Sequence, residues 1–287
     1  MSRSEALETK ERALRDVLSS CESVIIGFSG GVDSSFLAYV ALDELGPDRV
    51  LAVTGRSPAY PGVQHEMAVK VARSVDLPHL EIQTYELDDP GYAANAPDRC
   101  YFCKAELYQR LLTVMRERGF NVVLDGSNAD DLDDHRPGLA AARELGVRSP
   151  LQEVGLTKAE IRILSKRAGL PTWEIPASPC LASRIAYGLE VTPKRLRAIE
   201  DAEARLREVH TWRELRVRYH GGLARLEVAP EDIESLSETS LRERVIQALR
   251  DAGFARACLD LQGYRRGALN ESFGREAAGA RGGFGDT

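Results

Sequence analysis

The segment Ser23–Ser35, SVIIGFSGGVDSS, constrains this chain more than any other. SVIIGF is a short apolar run of the kind that forms a buried parallel strand. Two adjacent glycines follow, then FLAYVALDEL continues with helical spacing. A strand that runs through a glycine-rich turn into a helix opens a βαβ unit. Gly30 and Gly31 let the backbone come close to a ligand, and the N–H groups at the helix start form an anion site. Ser29, Ser34 and Ser35 add hydroxyls. In an open α/β sheet, ligands bind at the carboxyl ends of strands, where this turn sits. The turn has no GK[ST] and so is not a Walker loop, and its glycine spacing is not that of a dinucleotide fingerprint.

Further strands are expected at Arg49–Thr54, His79–Thr84 and Asn121–Asp125, with helix-like segments between them and a helix from about Ala105 to Arg118. Thr157 reads as the cap of a helix that Gly169 and Pro171 end. This alternation predicts an α/β fold with a doubly wound parallel sheet. The texture changes near Ile185. Thr192 and Pro193 open a long charged helix. Glu214–Tyr219 and Ala224–Val228 alternate around His220-Gly221-Gly222 like a hairpin, and a helix and a last strand near Ala255–Leu261 follow. The expected domains are 1–185, a smaller α+β domain at 186–273, and a mobile Gly- and Ala-rich tail at 274–287. With 287 residues, 43% of them apolar, the chain is long enough for two such cores.

The net charge of −6, from 38 basic and 44 acidic residues, argues against a nucleic-acid partner. No apolar run approaches the roughly 20 residues that span a bilayer. The charged start MSRSEALETKERALRD is not a secretory signal, so a cytoplasmic protein with reduced thiols is expected. There, cysteines more often bind metal or do chemistry than form disulfides. Of the five cysteines, Cys100 and Cys103 have the C-x2-C spacing of half a metal site. They are expected just before the helix at Ala105. Cys180, on a proline-flanked loop, is the candidate third thiolate. Cys21 and Cys258 sit in or beside apolar runs and read as small core residues.

The loop Asp125–Gly138, DGSNADDLDDHRPG, follows the fourth strand and reaches the same sheet edge as the glycine turn. Its carboxylates, Asp130 among them, suit Mg²⁺ and phosphate-bound water, and Asn128 and Arg136 suit substrate orientation. Arg216 and Arg218 lie two apart on a strand and share a face, with Arg225 on the partner strand. Arginine forks suit phosphates and carboxylates. The five histidines are scattered and make no convincing metal pair.

SGGVDSS resembles the PP-loop, SGGxDS, of the adenine-nucleotide α-hydrolases. Together with DRCYFCKAELY, DGSNADDLDDHRPG, ASPCLASRIAYG, LRVRYHGGLARLEV and LDLQGYRRGALN, it makes residues 29–270 resemble the LarE family of ATP-dependent sulfur transferases. The resemblance implies adenylation of a carboxylate of pyridinium-3,5-biscarboxylate mononucleotide and its conversion to a thiocarboxylate, in the making of the nickel-pincer nucleotide. It implies ATP at Ser29, Gly30, Gly31, Asp33, Ser34, Ser35 and Thr54, and Mg²⁺ at Asp33 and Asp130. Substrate is expected at Asn128, Arg136, Ser183, Arg184, Arg216 and Arg218. Cys180 and Asp33 would be catalytic. The three cysteines Cys100, Cys103 and Cys180 match the branch that holds a [4Fe–4S] cluster. A homo-oligomer, and a sulfur donor if the sulfur is not that of Cys180, follow from the same resemblance.

Three other readings share these motifs: a tRNA-thiolating PP-loop enzyme, an amide-forming ligase of the NAD-synthetase type, and a non-catalytic nucleotide- or metal-binding scaffold. The acidic balance counts against the first, and the intact SGGVDSS counts against the last.

Overall fold

The structure is a computed structural model, and it describes residues 3–131, 137–175 and 179–265. Arg136, much of the acidic loop and the 274–287 tail lie outside the described residues. The chain divides into two compact units, Met1–Pro179 and Cys180–Thr287. The second unit begins at Cys180, whereas the change of texture in the sequence is expected at 186.

The first unit runs α1 (Arg3–Ser19), β1 (Val24–Gly27), α2 (Val32–Leu45), β2 (Val50–Arg56), α3 (Gly62–Ser74), β3 (His79–Gln83), α4 (Pro90–Ala93), α5 (Arg99–Arg118), β4 (Val122–Leu124), α6 (Pro137–Glu144), α7 (Pro150–Glu153) and α8 (Lys158–Arg167). Its four strands are parallel in the order β3-β2-β1-β4. The alternation of side chains along each strand divides two cores. Val24, Ile26, Val50 and Ala52 pack with Leu14, Leu37, Val71 and Ile161 on one face. Ile25, Leu51 and Val53 pack with Tyr108, Leu111 and Ala141 on the other. Each such buried side chain contributes roughly 1.5–3 kcal/mol, which is why both faces of the strands read as apolar. The strand order reverses between β1 and β4, and a doubly wound sheet binds its ligand in the crevice at such a reversal. The loops after β1 and β4 flank that crevice.

Helix α5 starts at Arg99, six residues before the expected Ala105. Its apolar periodicity becomes visible only at Tyr108 and Leu111, the residues that are buried. The first two turns are helical without an apolar stripe, so Cys100 and Cys103 lie within the helix, one turn apart. Thr157 caps α8 as expected, in a capping box with Glu160, an arrangement worth about 1 kcal/mol.

The second unit runs α9 (Pro193–Val209), β5 (Leu215–His220), β6 (Leu223–Val228), α10 (Thr239–Asp251) and β7 (Arg256–Leu259). The sheet order is β5-β6-β7, with β5–β6 antiparallel and β6–β7 parallel. Gly221 and Gly222 both have positive φ, 60° and 92°. A two-residue hairpin turn that matches strand twist needs this, and glycine supplies it at least cost. The register therefore sets Arg216 opposite Glu227 and Arg218 opposite Arg225. Cys21 is buried as expected, but Cys258 is exposed. It lies on β7, an edge strand, where an apolar-looking run does not imply a core position. Among the described residues no helix is long and apolar enough to cross a membrane.

Candidate functional site

In the glycine turn, Ser34 Oγ lies 3.1 Å from Ser29 Oγ, donates to Gly31 O at 3.3 Å and accepts from Ser29 N at 3.3 Å. Tyr60 Oη and Gln64 Nε2 donate to Ser29 O at 3.0 and 3.2 Å, bracing the turn from the α3 side. Gly30 has φ +69°, and a Cβ there would stand 2.6 Å from Ala68 Cα, so backbone and packing both demand glycine. Gly31 is different. Its φ is −77°, and an added Cβ would meet only Ser29 Oγ, at 3.4 Å. Among the described residues nothing requires glycine at 31, and a residue without a side chain there keeps the first-turn N–H groups of α2 open to a ligand.

Among the described residues, two buried atoms at this helix start have no close hydrogen-bond partner, Ser35 Oγ and Asp33 Oδ1, although the Asn128 side chain comes near enough to stabilise the Asp33 carboxylate. Buried polar atoms are nearly always paired, so exceptions call for an explanation, a bound ion or ligand being one. A hydroxyl and a carboxylate oxygen fit a phosphate and Mg²⁺ respectively. The second oxygen of Asp33, Oδ2, pairs with Lys158 Nζ, from the first residue of α8. Burial pushes the Asp33 carboxyl up, and Lys158 pulls it part of the way back.

The loop after β4 packs directly on this turn. A Cβ on Gly126 would lie 3.0 Å from Ser34 N. The described carboxylates of the loop are largely occupied in shaping it. Asp125 accepts from Tyr108 Oη (2.7 Å), Ser149 Oγ (2.7 Å), Ser127 N (3.0 Å) and Ser127 Oγ (3.0 Å). Asp131 accepts from Asn128 N, Asn128 Oδ1 accepts from Asp130 N, and Asp130 Oδ2 accepts from Lys158 N, each at 3.0 Å. Asp125 thus ties β4, α5 and the loop together. Thr54 Oγ1 donates to Phe28 O at 2.7 Å and takes a hydrogen bond from His79 Nε2 at 2.8 Å, fixing the strand end beneath the glycine turn.

In the second unit, Cys180 caps the short 3₁₀ turn Leu181–Arg184. Its carbonyl accepts from Ser183 N (3.0 Å), Ser183 Oγ (2.7 Å) and Arg184 Nη1 (2.9 Å). Arg184 is fully buried and donates to both oxygens of Glu203, at 3.0 and 3.4 Å. Glu203 also accepts from Val217 N at 3.2 Å. Burial alone would raise the Glu203 carboxyl, but the Arg184 charge overrides it, and the group is held below the usual carboxylate range. Arg218 forks onto Glu227 Oε2 at 2.9 and 2.8 Å and donates to Ser183 O at 3.0 Å. The loop that carries Cys180 is therefore clamped at Cys180 O by Arg184 and at Ser183 O by Arg218. Arg216 is held below the usual guanidinium range, first by burial and then by the nearby Arg184 charge. Its guanidinium lies over the Tyr264 ring at 5.1 Å. Arg216 Nη1 donates to Leu215 O at 2.6 Å and lies 3.9 Å from Glu214 Oε2.

Cys100 is exposed, and Cys103 and Cys180 are half-buried. Cys100 and Cys103 sit in the first unit and Cys180 in the second. Among the described residues, no group of three or more His, Cys, Asp or Glu side chains stands ready to hold a metal ion.

Residues 6–96 match the family model for NAD synthase. The chain is 42% identical over 264 residues to an uncharacterised protein of Synechocystis, covering 92% of this chain and 98% of the relative. It is 34% identical over 266 residues to the pyridinium-3,5-bisthiocarboxylic acid mononucleotide synthase of Lactiplantibacillus plantarum, covering 93% of this chain and 95% of that enzyme. The chain belongs to the LarE family. A haloarchaeal argininosuccinate synthase, from Natronomonas pharaonis, is 27% identical over 54% of the LarE-family chain and 41% of its own length.

Sequence reading of this LarE-family chain misses Lys158, Glu203 and Glu227. Lys158 follows a legible helix cap, but nothing local links it to Asp33. Glu227 could have been found, because the two-glycine turn sets it opposite Arg216. Glu203 sits in a helix so rich in charge that one buried carboxylate is indistinguishable from its solvated neighbours.

Proposed function

We infer that the protein is an ATP-dependent sulfur transferase that converts pyridinium-3,5-biscarboxylate mononucleotide to a thiocarboxylate in nickel-pincer nucleotide synthesis. The observation that carries this reading is the start of α2. There, a glycine that no described residue requires stands together with a buried hydroxyl and a carboxylate oxygen that have no close hydrogen-bond partner, at a helix N-terminus. The similarity to the L. plantarum synthase, over almost the whole chain, supports the substrate.

A carboxylate is a poor electrophile. Its oxygen attacks the α-phosphorus of ATP and pyrophosphate leaves, giving an acyl adenylate. A sulfur nucleophile then adds to the acyl carbon and AMP departs with the electron pair of the C–O bond. Ser35 and the first-turn N–H groups would bind phosphate oxygens, and Lys158 would move from Asp33 toward them as negative charge develops. Asp33 would hold Mg²⁺, which when bound screens phosphate charge; Asp130 has one oxygen committed to Lys158 N. Arg216 would bind the phosphate or second carboxylate of the substrate. Arg184, Arg218 and Ser183 would act by holding the Cys180 loop.

Cys100 and Cys103, one turn apart near the start of α5, would be two thiolate ligands of a [4Fe–4S] cluster, with Cys180 the third. Such a cluster, when bound, would hold sulfide delivered by a donor. With no cluster, the Cys180 thiolate would itself attack the acyl carbon and AMP would leave; loss of the Cys180 Cα proton would then break its Cβ–Sγ bond, releasing the thiocarboxylate and leaving dehydroalanine. The enzyme is read as a cytoplasmic homo-oligomer.

Incubation with ATP, Mg²⁺ and the dicarboxylate nucleotide should yield AMP and pyrophosphate, with sulfur in the product. ADP and phosphate would overturn the reading. AMP release with ammonia in place of sulfur would favour the amide-forming ligase.

A further inference from the structure

Strand β7 is the edge of the small sheet, and among the described residues no strand lies beyond it. Asp260 N donates to Leu226 O at 2.9 Å, which fixes the phase of the edge. By strand alternation, the backbone groups of Arg256, Cys258 and Asp260 face β6, and those of Ala257, Leu259 and Leu261 point outward. Arg256, Ala257 and Cys258 are exposed, and Leu261 is 82% exposed. Proteins blunt such edges with prolines, bulges or lysines, because an open edge recruits another strand. The run Ala255–Gln262, ARACLDLQ, has no proline and no lysine, and its two charges, Arg256 and Asp260, are of opposite sign and so do not repel a second copy.

The side chains of this run are complementary to themselves. Laid antiparallel on a second copy with Cys258 at the two-fold axis, Arg256 falls opposite Asp260 of the partner subunit, once at each end. Ala257 falls opposite Leu259 of the partner subunit, and Leu261 opposite Ala255 of the partner subunit. A shift of two residues either way loses both charge pairs. A shift of one sets the charged face of one strand against the apolar face of the other. Since the backbone groups of Ala257 and Leu259 point outward, they make the hydrogen-bonded pairs. Cys258 then faces Cys258 of the partner subunit in a non-hydrogen-bonded pair, with Cα atoms about 4.5 Å apart. Asp260 is kept at the rim by Gln262 N, at 2.9 Å, and by Arg225 Nε, at 3.7 Å.

We propose that β7 is the pairing surface of a two-fold dimer, in which a second copy of this chain extends the three-stranded sheet into a continuous six-stranded one. The inference does not depend on the reaction assigned above.

The test uses the full-length protein. Copper-phenanthroline oxidation should give a covalent dimer whose disulfide peptide joins Cys258 to Cys258, and Cys258→Ser should abolish it. A distance of 4.5 Å between Cα atoms is within disulfide reach. By sedimentation velocity, Arg256→Glu should weaken association at least tenfold, and Arg256→Glu with Asp260→Arg should restore it. Ala257→Pro removes an outward N–H and no bond to β6. It should abolish the dimer at an unchanged melting temperature, which separates lost pairing from failure to fold. A monomer at every concentration overturns the proposal, as does an oligomer that Ala257→Pro leaves intact. So does concentration-independent exchange protection of the Ala257 and Leu259 amides, because the chain itself or another ligand would then cover the edge.

Discussion

Lys158 ends on the carboxylate of Asp33, joining the first turn of α8 to the first turn of α2 across 125 residues of sequence. The pair sets the charge at the carboxyl end of β1, beside the glycine turn. Lys158→Met should cut pyrophosphate release severely while leaving the far-ultraviolet circular dichroism unchanged. Burial raises the Asp33 pKa and Lys158 opposes that rise, so the variant's acid limb should move to higher pH. Activity needs ionised Asp33 and falls as pH drops through its pKa. A rate profile whose acid limb stays in place in the variant would remove Asp33 from the mechanism.

The adjacent glycines make opposite predictions. Gly30→Ala forces a Cβ to 2.6 Å from Ala68 Cα at positive φ and should destabilise the first unit by about 1–3 kcal/mol, read in a denaturant melt. Gly31→Ala has room in the protein. Its melt should match the wild type while ATP affinity falls, measured by calorimetry. Wild-type ATP affinity in Gly31→Ala would mean that no ligand approaches this face.

Arg184 and Arg216 should separate cleanly. Arg184→Ala removes the forked, buried partner of Glu203 and leaves it with Arg207 Nη2 and Val217 N, each at 3.2 Å. Breaking a buried pair typically costs about 3–5 kcal/mol, less where a second partner remains, so the variant should fail mainly by loss of stability. Arg216→Ala should stay folded and bind the dicarboxylate nucleotide about ten- to a hundredfold more weakly, the worth of a charge-assisted hydrogen bond of roughly 1.5–3 kcal/mol. ATP affinity should not change. A stable Arg184→Ala variant with weakened substrate binding would return that residue to direct contact with substrate.

Glu203 predicts the acid behaviour of the second unit. Its folded-state pKa is depressed, so its contribution is fully present above the ordinary carboxylate range and is lost as pH falls through the lowered value. Glu203→Gln should be less stable at neutral pH and should lose less on acidification than the wild type. Equal slopes in melting temperature against pH would refute the assignment.

The cysteines are tested by iron and sulfide content after purification without oxygen. The wild type should carry both, and Cys100→Ala with Cys103→Ala should carry neither and lose catalytic turnover. Full sulfur transfer by that double variant would leave Cys180 acting alone.

The sheet was legible because its inner strands bury both faces and so read as unbroken apolar runs, as in VIIG and VLAV, while the edge strand HLEIQ is only partly buried and shows itself by alternation. The hairpin was legible because only a few residues accept positive φ twice in succession. The start of α5 was not, because its first turns have no buried stripe, and Cys258 was misread because a run like RACL does not announce that it forms an edge. At the site, SGGVDSS was visible as a unit, but the partners of its charges were not. Lys158 and Asp33 are near only once the sheet has formed. That Arg184 and Arg218 also pair with Glu203 and Glu227 was not legible, because neither carboxylate carries a local signature of burial.

The exposed position of Cys100 on α5 bears on how its thiol can be followed. The helix is seated further along, by Tyr108 and Leu111, and the Tyr108 hydroxyl ties it to Asp125 in the loop after β4. An alkylating reagent therefore reaches Cys100 without first opening the core that holds Tyr108. The rate at which that label is taken up reads the accessibility of the native helix start, not the global unfolding of the sheet behind it.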